Sequence, residues 1–202
     1  MNTIINIGRS FGSGGGFVGQ AVARKLGIPF YDNERISQVA EESGYSKSLF
    51  AKGEEKQSLF SVSSFFASGR LSYMDSGYVN DNVMFNIQSE VIRSIAERGD
   101  AVIIGRCADY ILRDLECLDV FVTAPMEYRI KRLMENEKLD ADQAEALMRR
   151  KDRTRETYYN YYTFGSWGSA ANYDLCVDSS ILGIEGTADL IIDFGRKAGL
   201  IR

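Results

Sequence analysis

Residues 8–19 read GRSFGSGGGFVG. They follow the apolar run TIINIG at 3–8 and lead into FVGQAVARKL at 17–26, where Val18, Ala21, Val22 and Leu26 recur with helical spacing. Strand, glycine-rich turn and helix together form the arrangement in which backbone N–H groups at a helix amino terminus gather around phosphate. Glycines stand at 8, 12, 14, 15 and 16. That is more than a tight turn needs, and it frees the backbone to point several amides inward. The loop contains no lysine, although phosphate loops of this kind ordinarily carry one. A second pattern overlaps the first. GGGFVG at 14–19 satisfies G-x-G-x-x-G, and Asp32 could serve as the acidic ribose ligand of a dinucleotide fold. In that fold the glycines start directly after the strand. Here several residues intervene, which suits a longer phosphate-wrapping loop.

Outward from the loop, Gly27 stops the helix, IPFYD at 28–32 reads as a short strand, and a helix is predicted over 34–42. From 44 to 82 the sequence becomes rich in Ser, Phe and Tyr, which reads as an insertion covering a site. A strong helix is predicted over 82–99, with Val83, Ile87, Val91, Ile92 and Ile95 forming one apolar stripe. AVIIG at 101–105 and DVFVTA at 119–124 are nearly all apolar, as parallel strands buried on both faces should be. A short helix, ADYILRDL at 108–115, lies between them. Two further helices follow, at 126–137 and 140–158, then an aromatic loop, YYNYYTFGSWG at 158–168. A fifth strand at 173–180 and a helix over 184–198 complete the pattern. Alternating strands and helices predict a doubly wound parallel sheet, with ligands beyond the carboxyl ends of the strands. Residues 8–16, Asp32, Gly105, Arg106, Ala124 and Pro125 all fall at those ends.

Composition narrows the chemistry. A length of 202 residues suits one α/β domain, and a formal net charge of −4 argues against wholesale nucleic-acid binding. The longest apolar runs are strand-length and the amino terminus carries no export signal, so neither a membrane span nor secretion is expected. Cys107, Cys117 and Cys176 lack zinc-site spacing and read as reduced thiols of a cytosolic protein. The chain has no histidine, which removes imidazole bases, His-ligated metals and Ser/His/Asp triads from consideration.

Cations are concentrated at two places. Arg106 ends the third strand, where it could grip phosphate through two parallel hydrogen bonds or pair with a neighbour such as Asp109. RRKDRTR at 149–155 packs five cations and one carboxylate into seven residues. It is either a solvated helix end favoured by the dipole or a lid that brings arginines onto transferring phosphates. Of the aromatics beyond it, Tyr158, Tyr159, Tyr161, Tyr162, Phe164 and Trp167, most are expected to pack, while Trp167 stays open between packing and stacking on a base.

The segments at 5–32 (INIGRSFGSGGGFVGQAVARKLGIPFYD), 101–112 (AVIIGRCADYIL), 120–133 (VFVTAPMEYRIKRL) and 150–180 together resemble the cytidylate kinase-like family, relatives of the nucleoside monophosphate kinases. The resemblance implies a P-loop kinase-type three-layer α/β/α fold with a five-stranded parallel sheet. It also implies a nucleoside monophosphate-binding insertion at 44–82 and a lid at about 149–168. The implied reaction moves the ATP γ-phosphoryl group to a cytidine monophosphate-like acceptor, with magnesium. Gly12, Ser13, Gly14, Gly15 and Gly16 would surround the ATP β-phosphate, and Arg106 would hold the acceptor phosphate. Arg149, Arg153 and Arg155 would be the lid cations, with Asp32 on the acceptor side. Three departures stand out. Gly15 occupies the position of the lysine of the true monophosphate kinases, Gly16 that of their magnesium-binding hydroxyl, and Ile104 that of the carboxylate they carry before the Gly-Arg pair. Arg9 or Lys151 is the expected substitute cation, and Ser10 or Ser13 the expected hydroxyl. The alternative reading is a nucleotide or phospho-ligand binding protein that has lost the chemistry.

Overall fold

The apolar runs become five strands because each can bury both faces only inside a sheet covered by helices on either side. The computed structural model describes residues 2–43 and 77–202. Its elements are β1 (Ile4–Arg9), α1 (Gly15–Leu26), β2 (Phe30–Tyr31), α2 (Asn33–Glu42), α3 (Gly77–Arg98), β3 (Ala101–Ile104) and α4 (Ala108–Ile111). They continue with β4 (Leu118–Thr123), α5 (Met126–Glu137), α6 (Ala141–Thr163), a 3-10 turn (Ala170–Asn172), β5 (Leu175–Asp178) and α7 (Ser179–Lys197). The strands are parallel in the order β2-β3-β1-β4-β5. β1 is central, with Ile5 beside Val102 on β3 and beside Leu118 on β4.

The period-two pattern of β1 divides the core. Ile5 and Ile7 join Val18, Val22, Ile191 and Ile192 on the face covered by α1 and α7. Ile4 joins Ile36, Val91, Ile92, Ile103 and Leu112 on the face covered by α2, α3 and α4. This is the three-layer α/β/α fold. The chain leaves β1 toward β2 and later returns to its other side as β4, so the glycine loop sits where the strand order reverses. Crevices of doubly wound sheets form at that point.

Several boundaries differ from the predicted ones. Most of the 44–82 insertion, up to residue 76, lies outside the described residues, and α3 begins at Gly77 rather than at 82. The helix predicted at 108–115 ends at Ile111. Residues 158–163 are not a loop but the last turns of α6, which stops at Phe164 in the left-handed conformation. Tertiary contact explains this extension. Tyr162 stacks on Phe85 of α3 at 4.0 Å, and Tyr159 donates a hydrogen bond to Asp109. At the last helix, Gly183 (φ 65°) interrupts α7, so a turn at Ser179 precedes the stretch predicted from 184.

Candidate active site at the carboxyl edge of the sheet

Between β1 and α1 the chain passes through Gly12 (φ 82°) and Gly14 (φ 79°), both left-handed, which is why glycine is needed at these two positions. α1 has no side-chain amino-terminal cap and no acidic residue in its first turn. The Gly15 amide donates to Ser13 Oγ at 3.3 Å, and the following amides and the helix dipole are available to an anion. Open space lies in front of Gly16. The loop is held from below. Ser10 N donates to Val122 O at 3.0 Å, and the buried Ser13 hydroxyl donates to Ser10 O at 2.8 Å. Ser179 Oγ donates to Ser13 O at 2.6 Å.

Three of the predicted arginines converge on this loop or its rim. Arg9 ends β1, and its guanidinium rests against Gly105 at the end of β3. Arg106 follows in a run of three left-handed residues, Gly105 (φ 66°), Arg106 (φ 59°) and Cys107 (φ 56°). Such conformations are disfavoured for side-chain-bearing residues and cluster at functional sites. The Arg106 guanidinium lies 5.7 Å from the centre of the Tyr158 ring. Arg155 Nη1 donates to Arg9 O at 3.0 Å, and its guanidinium lies 5.2 Å from the centre of the Phe11 ring. Burial holds Arg9 well below the usual arginine range, and Arg155 and Arg106 push it in the same direction, while Asp32 opposes them. Burial also pushes Arg155 down, to about 10. Guanidinium keeps its proton, so these shifts express mainly the cost of burying the two charges, to which repulsion from Arg155 and Arg106 adds at Arg9 and which Asp152 partly offsets at Arg155.

Asp32 caps α2, accepting Arg35 N at 2.9 Å. Arg149 and Arg153 are not brought to the loop. They lie one turn apart on an exposed stripe of α6, and Arg149 is paired with Glu145 at 2.7 Å. Met148, Asp152, Arg155 and Tyr159 occupy the inward stripe instead, at helical spacing.

The structure adds residues that the sequence pattern did not single out. Asp152, the lone carboxylate of RRKDRTR, accepts Phe11 N at 2.6 Å and pairs with Arg129 at 2.5 Å. Arg129 Nη1 also donates to Phe11 O at 3.2 Å. The Phe11 side chain packs against Leu133, Ala144 and Met148, plugging the phosphate loop into the α5–α6 hairpin. Beneath Arg106, the half-buried Asp109 accepts the Tyr159 hydroxyl at 2.7 Å. Burial raises the Asp109 carboxyl, and the Tyr159 bond partly offsets that rise. The lone acid in a basic cluster was the available signal for Asp152. Nothing local marks Arg129, and Tyr159 stands out in sequence only as one of several aromatics of the 158–168 stretch.

Among the described residues, the donor set at the loop does not fit a magnesium ion held by the protein. Gly16 and Ile104 bring no side-chain oxygen, the Ser13 hydroxyl is committed to the Ser10 and Val122 carbonyls, and Ser10 Oγ lies 3.1 Å from Thr123 Oγ1. No group of three acidic or cysteine side chains able to hold a metal occurs among the described residues. No helix among them is long and apolar enough to cross a membrane.

Similarity to known proteins agrees with this geometry. A cytidylate kinase of Desulfurococcus amylolyticus is 27% identical over 112 residues, spanning 54% of this chain and 60% of that protein, so the match stays under two thirds of the relative's length. An uncharacterized protein from Eubacterium ventriosum superposes with a TM-score of 0.69 at 28% identity, covering 95% of this chain and 96% of the other. Shikimate kinase from Bacteroides thetaiotaomicron superposes with a TM-score of 0.56 at 14% identity over 97% of this chain and 99% of its own, and so shares the fold. The family pattern of the cytidylate kinase-like proteins matches residues 4–181. With the P-loop kinase architecture and an anion-ready loop at its switch point, the chain belongs to the cytidylate kinase-like family.

Proposed function

We propose that this protein is a cytosolic phosphotransferase that moves the ATP γ-phosphoryl group to a nucleoside monophosphate of the cytidine type. The observation that carries the reading is the gathering of Arg9, Arg106 and Arg155 around an uncapped helix terminus at the carboxyl edge of the sheet. Phosphoryl transfer asks the protein mainly for positioning and charge stabilisation, and this arrangement offers both. In this reading the amides of residues 12–16 surround the β-phosphate. Arg106 holds the acceptor phosphate, whose oxygen attacks the γ-phosphorus as the bond to the β-phosphate oxygen breaks, leaving ADP. Asp32 faces the acceptor side. Arg155 spans the donor, while Arg149 and Arg153 would reach the phosphates only if the hairpin shifted. Magnesium travels with the ATP phosphates rather than in a protein cage.

The test is a coupled kinase assay with ATP and magnesium across a panel of nucleoside monophosphates, run beside Arg106→Ala. Turnover with cytidine monophosphate that falls on the order of 100-fold in the variant supports the reading. A second reading, nucleotide binding without catalysis, is favoured by the bare Gly15, Gly16 and Ile104 positions. ATP binding that is indifferent to magnesium, with no turnover on any acceptor, would select it.

A further inference from the structure

Gly15 stands where a phosphate loop ordinarily carries lysine, and its surroundings explain why it has no side chain. A Cβ placed there would lie 2.5 Å from Arg9 Cβ, 3.2 Å from Arg9 Cγ and 3.2 Å from Val122 Cβ. The volume that a lysine stem would enter is filled by the stem of Arg9, rising from the last residue of β1. The head of the same side chain lies over Gly105, where a Cβ would overlap Nη1 and come within 3.1 Å of Cζ. Two glycines, one on the loop and one at the end of β3, thus line a channel shaped around one arginine. Gly105 has φ 66° as well, so both its backbone and the space above it exclude a side chain.

The backbone of Arg9 is fixed too. Its carbonyl accepts Arg155 Nη1, and the next residue donates to Val122 O. The guanidinium shares the crevice with Arg106, Arg155 and Asp32, so cations outnumber carboxylates among its charged neighbours. That imbalance calls for an anionic ligand.

We propose that Arg9 is the phosphate-binding cation of this loop, relocated from the helix side to the strand side, and that Gly15 and Gly105 are small in order to admit it. The ligand class is a polyphosphate monoester or free polyphosphate, whose oxygens the planar guanidinium can grip in pairs. The proposal rests on the reading of the crevice as a phosphotransferase site, but it concerns binding and is tested without turnover.

Binding of ATP and of inorganic tripolyphosphate would be measured by calorimetry, with and without EDTA, for wild type, Arg9→Lys, Arg9→Ala, Arg9→Gly, Gly15→Lys and the double variant Arg9→Gly/Gly15→Lys. Thermal melts would check that each is folded. Arg9→Ala should weaken both ligands by at least about 10-fold, as expected for losing a hydrogen-bonded charge, and it should do so in EDTA as well. Arg9→Lys should fall between Ala and wild type. Gly15→Lys alone should bind poorly because its stem collides with Arg9. The double variant, with the cation returned to the helix side, should bind better than Arg9→Gly alone.

Wild-type affinity in Arg9→Ala would overturn the assignment, as would a folded double variant no better than Arg9→Gly, or a wild-type protein that binds neither probe. If these binding results hold while no monophosphate is turned over, the kinase reading fails and the relocated cation stands.

Discussion

Asp152 accepts the backbone N–H of Phe11 at 2.6 Å, so the carboxylate of a basic helix is fastened to the phosphate loop itself. Its other oxygen pairs with Arg129, and both side chains are largely buried, at 14% and 20% exposed. Removing the acid leaves a buried amide and a buried guanidinium without their partner. Asp152→Ala should therefore lose about 3 kcal/mol of stability in urea unfolding. Asp152→Asn, which keeps an acceptor for Phe11 but loses the charge, should lose less. Equal losses would show that the Phe11 bond contributes little.

The Asp109–Tyr159 bond ties α6 to the segment carrying Arg106. Tyr159→Phe removes a hydrogen bond to a half-buried carboxyl and should cost about 1–3 kcal/mol near neutral pH. Burial has already raised this carboxyl, and loss of the phenol raises it further. The penalty falls on the ionised form, so the loss should be larger at neutral pH than in mild acid. Parallel denaturant titrations at the two pH values would check this.

Asp119, on β4, is pushed up to about 6 by burial, with Asp109 and Asp174 adding to the rise and the Asn6 hydrogen bond opposing it. Asn6 Nδ2 donates to it at 2.8 Å, while Asn6 Oδ1 is buried with no partner. A folded pKa above the unfolded value of about 4 means that ionisation opposes folding. Stability should therefore fall between about pH 4 and pH 6 as the carboxyl loses its proton, by on the order of 3 kcal/mol. Asp119→Asn keeps the acceptor, adds a donor and removes the titration. It should be more stable than wild type at pH 8 and show no such gain at pH 4, a sign readily read from urea midpoints.

Repulsion among Arg9, Arg106 and Arg155 should make the protein respond to anions. Pyrophosphate at a hundred times its Kd should add about 2.7 kcal/mol of stability, or roughly 5–10 °C in Tm for a chain of this size. Arg155→Ala should shrink the shift. A melting point indifferent to pyrophosphate would argue against a phosphate crevice.

Much of this was legible along the chain. Strand-length apolar runs separated by helical stripes specify a parallel sheet covered on both faces, because no other arrangement buries them. Glycine at 12 and 14 announces left-handed turns that few other residues tolerate. Arg106 was visible as the cation after β3. The aromatic run at 158–163 reads as a loop in sequence but is helix in the fold, since helix propensity there is modest and the stabilising partners, Phe85 and Asp109, lie about 75 and 50 residues away in sequence.

Which cation of a dense cluster faces the site is a question of helix phase and docking. Arg149, Arg153 and Arg155 look equivalent in sequence, yet only Arg155 shares the inward stripe with Asp152 and Tyr159. The missing lysine could be read directly. Arg9 and Lys151 could be read as candidate replacements, but not that the Arg9 stem fills the volume beside Gly15, because the collision between residues 9 and 15 exists only once β1 and α1 are folded against each other. Local pattern thus settles which elements form and where the loop falls, since both depend on burial and backbone freedom over a few residues. The identity of the phosphate-facing charges depends on long-range packing, where side chains far apart in sequence compete for the same volume.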